Sequence, residues 1–186
     1  MKRVEKVVMD EELKDIMVIG VGNVLLKDEG FGIHVVKRME QMFEFPKNVA
    51  IVDGGVLGVH LLGIISKPDH LIVVDVIRNH GKPGDLYRIE QKDIPERIRA
   101  KNSVHQVDFL EALTLCQAMD HQPETVILGV EPEDIETLSM ELTETTENKV
   151  GPVIDLVLAE LDKLGVTCKK GACKNVSCDP LYDRQH

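Results

Sequence analysis

Three continuous apolar runs dictate what this chain can fold into: Ile16–Gly22 (IMVIGVG), His70–Val76 (HLIVVDV) and Thr125–Val130 (TVILGV). A strand with one face in water alternates apolar and polar residues. A strand apolar at nearly every position is covered on both faces, which is the situation of a parallel sheet sandwiched between helices. The intervening segments supply those helices. Val35, Val36, Met39, Met42 and Phe43 recur at helical spacing with charges between them, and Pro46 closes the pattern. Val150, Val153, Ile154, Val157, Leu158, Leu161 and Leu164 define one apolar face of a final helix. Ser103 and Gln106 have capping-box spacing, so a helix opens there with Val107, Leu110, Leu113 and Cys116 as its buried stripe.

Shorter elements complete the order: a strand at Val49–Asp53, a turn at Gly54-Gly55, a brief helix over Leu57–Ile65 and an edge strand at Leu86–Ile89. The predicted fold class is α/β, a three-layer α/β/α arrangement around a mainly parallel, twisted sheet of about five strands. Residues 16–165 form the domain. Residues 1–15 are a charged N-terminal extension, and residues 166–186 a flexible tail holding Cys168, Cys173 and Cys178. Those cysteines recur every five residues, which is not the CxxC spacing of ordinary zinc sites.

Aromatic residues are only 3% and tryptophan is absent, so the core is built from Val, Ile, Leu and Met. A formal net charge of −10 argues against nucleic acid, whose phosphates need a basic face. No apolar run approaches the ~18 residues of a membrane span. The first fifteen residues lack the apolar segment of a secretory signal, so the expected location is cytoplasmic. Nothing in the pattern specifies an oligomeric state.

In an open parallel sheet, ligands gather beyond the carboxyl ends of the strands. This sequence repeatedly places acids there: Glu29 after the first strand, Asp53 at the second, Asp75 at the third and Glu131 at the last. Asp75 sits within an apolar run, and a carboxylate in such surroundings is costly unless paired or metal-bound. It is therefore either a functional group or a cap on a nearby loop. Glu29 lies in a loop feeding the first helix. Asp28 could cap that helix with Glu29 complementing its dipole, whereas Gly30 and Gly32 allow backbone or substrate to approach closely. His105 would occupy the first turn of the Ser103 helix, where the positive helix end favours a neutral ring able to bind metal. Two carboxylates and one imidazole suit a divalent transition metal such as nickel or zinc.

The ordered segments Gly20-Val-Gly-Asn23, Lys27-Asp-Glu-Gly-Phe-Gly32, Asp53-Gly-Gly55, His70-Leu-Ile-Val-Val-Asp75, Ser103-Val-His-Gln106 and Gly129-Val-Glu-Pro132 together resemble the hydrogenase-maturation endopeptidases, from about residue 16 to 165. The resemblance implies an endopeptidase that removes a C-terminal extension from a nickel-iron hydrogenase large-subunit precursor once nickel is inserted. It implies Glu29, Asp75 and His105 as metal-binding and catalytic positions, with the nickel carried by the substrate and no organic cofactor. Gly22, Asn23, Asp53, Gly54, Gly55 and Glu131 are the expected substrate-binding positions. Water is then activated by the metal or by a carboxylate, with Asp75 the better candidate base. No Gly-x-Ser-x-Gly is present, and Cys116 falls on a buried stripe. Three other readings stand beside this one. A dinucleotide-binding loop at Gly20-x-Gly22 has Leu25 where a small residue is needed. A non-catalytic chaperone could bind the nickel-loaded precursor through the same residues. A peptidase of this fold could also serve a different precursor.

Overall fold

The structure, a computed structural model, describes residues 14–56, 62–94, 116 and 122–171. Five strands form one sheet in the order β3-β1-β4-β6-β5. They are β1 (Ile16–Val21), β3 (Val49–Gly55), β4 (His70–Val76), β5 (Leu86–Glu90) and β6 (Glu124–Val130). β1, β3, β4 and β6 run parallel, and β5 closes one edge antiparallel to β6. The strands apolar along their whole length, β1 and β4, are buried at every position, which is why they lie at the centre of the order.

Side-chain alternation along these strands feeds two cores. Ile16, Val18, Ile72, Val74, Leu128 and Val130 point to one face, where helices α1 (Phe31–Met42) and α3 (Glu144–Lys163) cover them. Met17, Ile19, Leu71, Val73 and Ile127 point to the other, where they meet Ile65 of the short helix α2 (Leu62–Ile65), Ile94 and Cys116. The result is the three-layer α/β/α fold that the apolar runs demand. Cys116 is helical and buried, in keeping with its place on the predicted stripe. Ser103, His105 and Gln106 lie outside the described residues. Among the described residues, no helix is long and apolar enough to cross a membrane.

Several boundaries differ from the sequence reading. Helix α1 ends at Met42, because Phe43 is already extended (φ −129, ψ 149) and begins the two-residue strand β2 (Phe43–Glu44). Gly54-Gly55 is not a separate turn: β3 runs on through Gly55, opposite a register irregularity between Gly20 and Val21 of β1. The C-terminal segment expected as an appendage from residue 166 is tied to the domain through residues 166–171. Val166 is buried, Cys168 packs against the core, and β7 (Lys169–Lys170) pairs antiparallel with β2.

Candidate functional site

The carboxyl ends of β3, β1, β4 and β6 bring most of the singled-out residues to one edge of the sheet. The approach between the first two is unusually close. Gly22 adopts φ +138, and a Cβ there would collide with the carbonyl oxygen of Glu29. Only glycine lets this turn fold back. Hydrogen bonds fix the return: the Asn23 amide donates to the Glu29 carbonyl (3.1 Å), and the Gly22 amide donates to the Gly55 carbonyl (3.0 Å). The Asn23 side-chain oxygen accepts from the Leu25 amide (3.0 Å), so it shapes the loop. Gly22, Asn23, Gly55 and Glu29 are thus brought together.

Glu29 lies on a 3₁₀ turn, Lys27–Gly30, that packs against β4, the strand carrying Asp75. Asp75 is 8% exposed, and one of its carboxylate oxygens accepts from the Val76 amide (2.8 Å). Alternation along β4 puts it on the same face as Leu71 and Val73, the face that Cys116 covers. Gly129 stands opposite Asp75 on β6, and a side chain there would strike the Asp75 carbonyl. The turn carrying the half-buried Glu29 and the buried Asp75 therefore share the carboxyl edge of the sheet. His105, the third expected donor, lies outside the described residues. Among the described residues no group of three metal-binding side chains is assembled.

Asp53 and Glu131 are placed differently. Asp53 shares its side of β3 with Val49 and Ile51, so it turns toward α1, away from the face of Asp75. There it pairs with Lys37 (3.2 Å) and accepts from the Gly55 amide (3.1 Å). Glu131 is buried, but its carboxylate is engaged: it accepts from the Asn79 amide (2.8 and 3.1 Å) and from the Tyr87 hydroxyl (2.7 Å). Burial and the neighbouring Glu131 charge push the Tyr87 phenol up to about 12. Glu131 thereby anchors the loop between β4 and β5.

The Glu29 turn is also held by its neighbour Asp28. Asp28 does not cap α1, whose N-terminus at Gly30 has no side-chain cap. Its fully buried carboxylate instead accepts from the amides of Glu133 (2.9 Å), Asp134 (3.0 Å) and Thr143 (2.7 Å), and from the hydroxyls of Thr143 (3.0 Å) and Thr146 (2.6 Å). Burial raises its pKa, yet the hydrogen bonds from Thr146, Thr143, Asp134 and Glu133 outweigh that cost and hold it below the usual carboxylate value. Five donors on one carboxylate pin the β6–α3 connection to the Glu29 turn. The adjacent acids Asp28-Glu29 were the only local sign of it.

Gly30 and Gly32 admit backbone. A Cβ at Gly30 would press on Val24 (2.9 Å), and one at Gly32 would strike the carbonyls of Val74 and Val21. The close approach of Gly32 seats the start of α1 directly on β1 and β4, and that of Gly30 seats it on the loop after β1.

Comparison with known proteins gives this edge a context. A family model described as hydrogenase maturation protease matches residues 33–160. The hydrogenase 2 maturation protease of Escherichia coli is 36% identical over 153 residues, covering 81% of this chain and 93% of that protein. The hydrogenase expression/formation protein HupD of Bradyrhizobium diazoefficiens is 34% identical over 157 residues, covering 83% of this chain and 82% of its own. The solved structure of the hydrogenase maturating endopeptidase HybD from E. coli superimposes with a TM-score of 0.80 at 35% identity, over 84% of this chain and 97% of that one. The same α/β/α scaffold, matched over more than four-fifths of the chain by hydrogenase maturation proteases at this level of identity, shows that the chain is an endopeptidase belonging to the hydrogenase maturation protease family.

Proposed function

We propose that this protein removes the C-terminal extension of a nickel-iron hydrogenase large-subunit precursor after nickel insertion, and that Glu29, Asp75 and His105 recognise the nickel held by that substrate. The observation that supports the reading is the seating of the Glu29 turn against β4, the strand that carries the buried Asp75, at the carboxyl end of the sheet. Carboxylate oxygens and an imidazole nitrogen suit nickel as well as zinc, and the metal arrives with the precursor. Bound at this edge, the substrate metal polarises the scissile carbonyl or acidifies a water, or else a carboxylate, with Asp75 the better candidate, takes a proton from that water. Asn23 and the backbone of Gly22, Gly54 and Gly55 line the neighbouring strand ends and would hold the extended chain near the cleavage point. Asp53 and Glu131 support the edge from either side. The protein works where the precursor is assembled, in the cytoplasm.

The test is to incubate the protein with a nickel-loaded precursor and, separately, with the same precursor lacking nickel, and to follow the precursor's mass. Loss of a C-terminal peptide from the nickel-loaded form alone is expected. Equal cleavage of both forms would remove the metal-sensing role. Binding without any mass change would favour a chaperone.

A further inference from the structure

Next to the Glu29 turn, the structure exposes apolar side chains on a braced support. Leu138 is 80% exposed, Met140 64% and Leu25 55%. Their backbones are joined: the Ser139 amide donates to the Leu25 carbonyl (3.0 Å), the Lys27 amide donates to the Ser139 carbonyl (2.8 Å), and Leu26 and Ser139 form a parallel bridge. The loop carrying Leu138 and Met140 is held at both ends, by Asp28 at Glu133, Asp134 and Thr143, and by Leu142 packed on the core. Inside it, Asp134 accepts from the amides of Glu136 (3.1 Å) and Thr137 (3.0 Å) and pairs with Lys27 (3.0 Å). A loop fixed this firmly presents its apolar residues in a set arrangement, which lowers the entropy lost on binding. Exposed apolar residues gathered on a rigid surface mark an interaction site.

The charge around them selects the occupant. Between Glu131 and Glu144 the sequence holds six acids and no base, and Glu133, Glu136, Glu141 and Glu144 are exposed. A second copy of this chain would bring its own acids against these, and like charges across an interface oppose association. A polypeptide with apolar residues flanked by Lys or Arg would meet both the apolar centre and the acidic rim.

We propose that Leu25, Leu138 and Met140, on the two loops that Asp28 fastens together beside Glu29, form the docking face for an apolar, basically flanked segment of the precursor polypeptide. This rests on the protease reading above. The face binds the protein part of the substrate, apart from its metal, and the hydrogen bonds of Asp28 hold its two loops together.

The experiment compares the wild-type protein with the Leu138→Ser/Met140→Ser double variant and with Glu136→Lys/Glu141→Lys. All four positions are exposed, and thermal melting checks that the fold is kept. Cleavage kinetics and direct binding of the nickel-loaded precursor are measured separately. Both variants should raise KM and Kd about tenfold and leave kcat within about twofold, as loss of uniform binding requires. Unchanged KM and Kd in the double variant would overturn the docking face while leaving the protease reading intact. If the wild-type protein binds but does not cut, and the variants bind about tenfold more weakly, the docking face stands and the protease reading falls. If it neither binds nor cuts, both fall. Sedimentation showing a wild-type dimer that the double variant turns into a monomer would assign the face to a second copy and overturn the proposal.

Discussion

Asp28 and its neighbour Glu29 divide the labour of one turn. Asp28 is buried and satisfied by five donors, and Glu29 is left at the edge of the sheet. Asp28→Asn replaces one acceptor oxygen by a donor where three backbone amides and two hydroxyls all donate to the carboxylate, so it should destabilise the protein by about 1–3 kcal/mol, read by urea unfolding at neutral pH. The pH dependence follows from its lowered pKa. A depressed carboxylate stabilises the fold above its unfolded value, and that contribution is lost as pH falls through the folded one. The stability gap between wild type and Asp28→Asn should therefore close below about pH 4. Tyr87 behaves in the opposite sense. With its phenol pushed up to about 12 by burial and by Glu131, its contribution is complete below about pH 10 and is lost as pH rises toward 12. Tyr87→Phe should remove that alkaline loss from a pH series of melting temperatures. Neither role could be read locally, because the partners of Asp28 lie 105 to 118 residues further along the chain and Glu131 is 44 residues from Tyr87.

The elements themselves were far more legible, and the reason is burial. β1, β4 and β6 each carry their own signal in an unbroken apolar run, and the register confirms them as adjacent parallel strands. Helix α3 carries a clean apolar face, with Val150, Val153, Ile154, Val157 and Leu161 all buried. The reading failed where local chemistry is ambiguous. Gly54-Gly55 has the composition of a turn, but pairing with β1 keeps it in the strand. Phe43 fits the α1 periodicity, but pairing of β2 with β7 ends the helix first. The glycines of the Glu29 turn stand out in the sequence, and the structure specifies what approaches them. Gly32→Ala would force α1 off the carbonyls of Val74 and Val21, both backbone groups that cannot turn aside. It should cost about 1–3 kcal/mol or more. Processing should weaken with it, since α1 directly follows the turn that holds Glu29, as a melting curve paired with a cleavage assay would show.

Taken whole, the molecule is a rigid sheet whose carboxyl edge gathers Gly22, Asn23, Glu29, Gly55 and Asp75, with Asp53 turned to the opposite face and Glu131 committed to a loop. The acids at strand ends were visible in the sequence; which face each one takes was decided by alternation along strands whose exact ends were not. An overall charge of −10 fits a protein that meets a basic partner segment. The central claim is that the buried carboxylate at the end of β4 takes part in the cleavage itself. The most direct measurement follows the mass of a nickel-loaded large-subunit precursor incubated with wild-type protein or with Asp75→Asn, after thermal melting has shown both to be folded. The account predicts loss of the C-terminal peptide with wild type and none over the same period with Asp75→Asn. Cleavage by Asp75→Asn at the wild-type rate would contradict it.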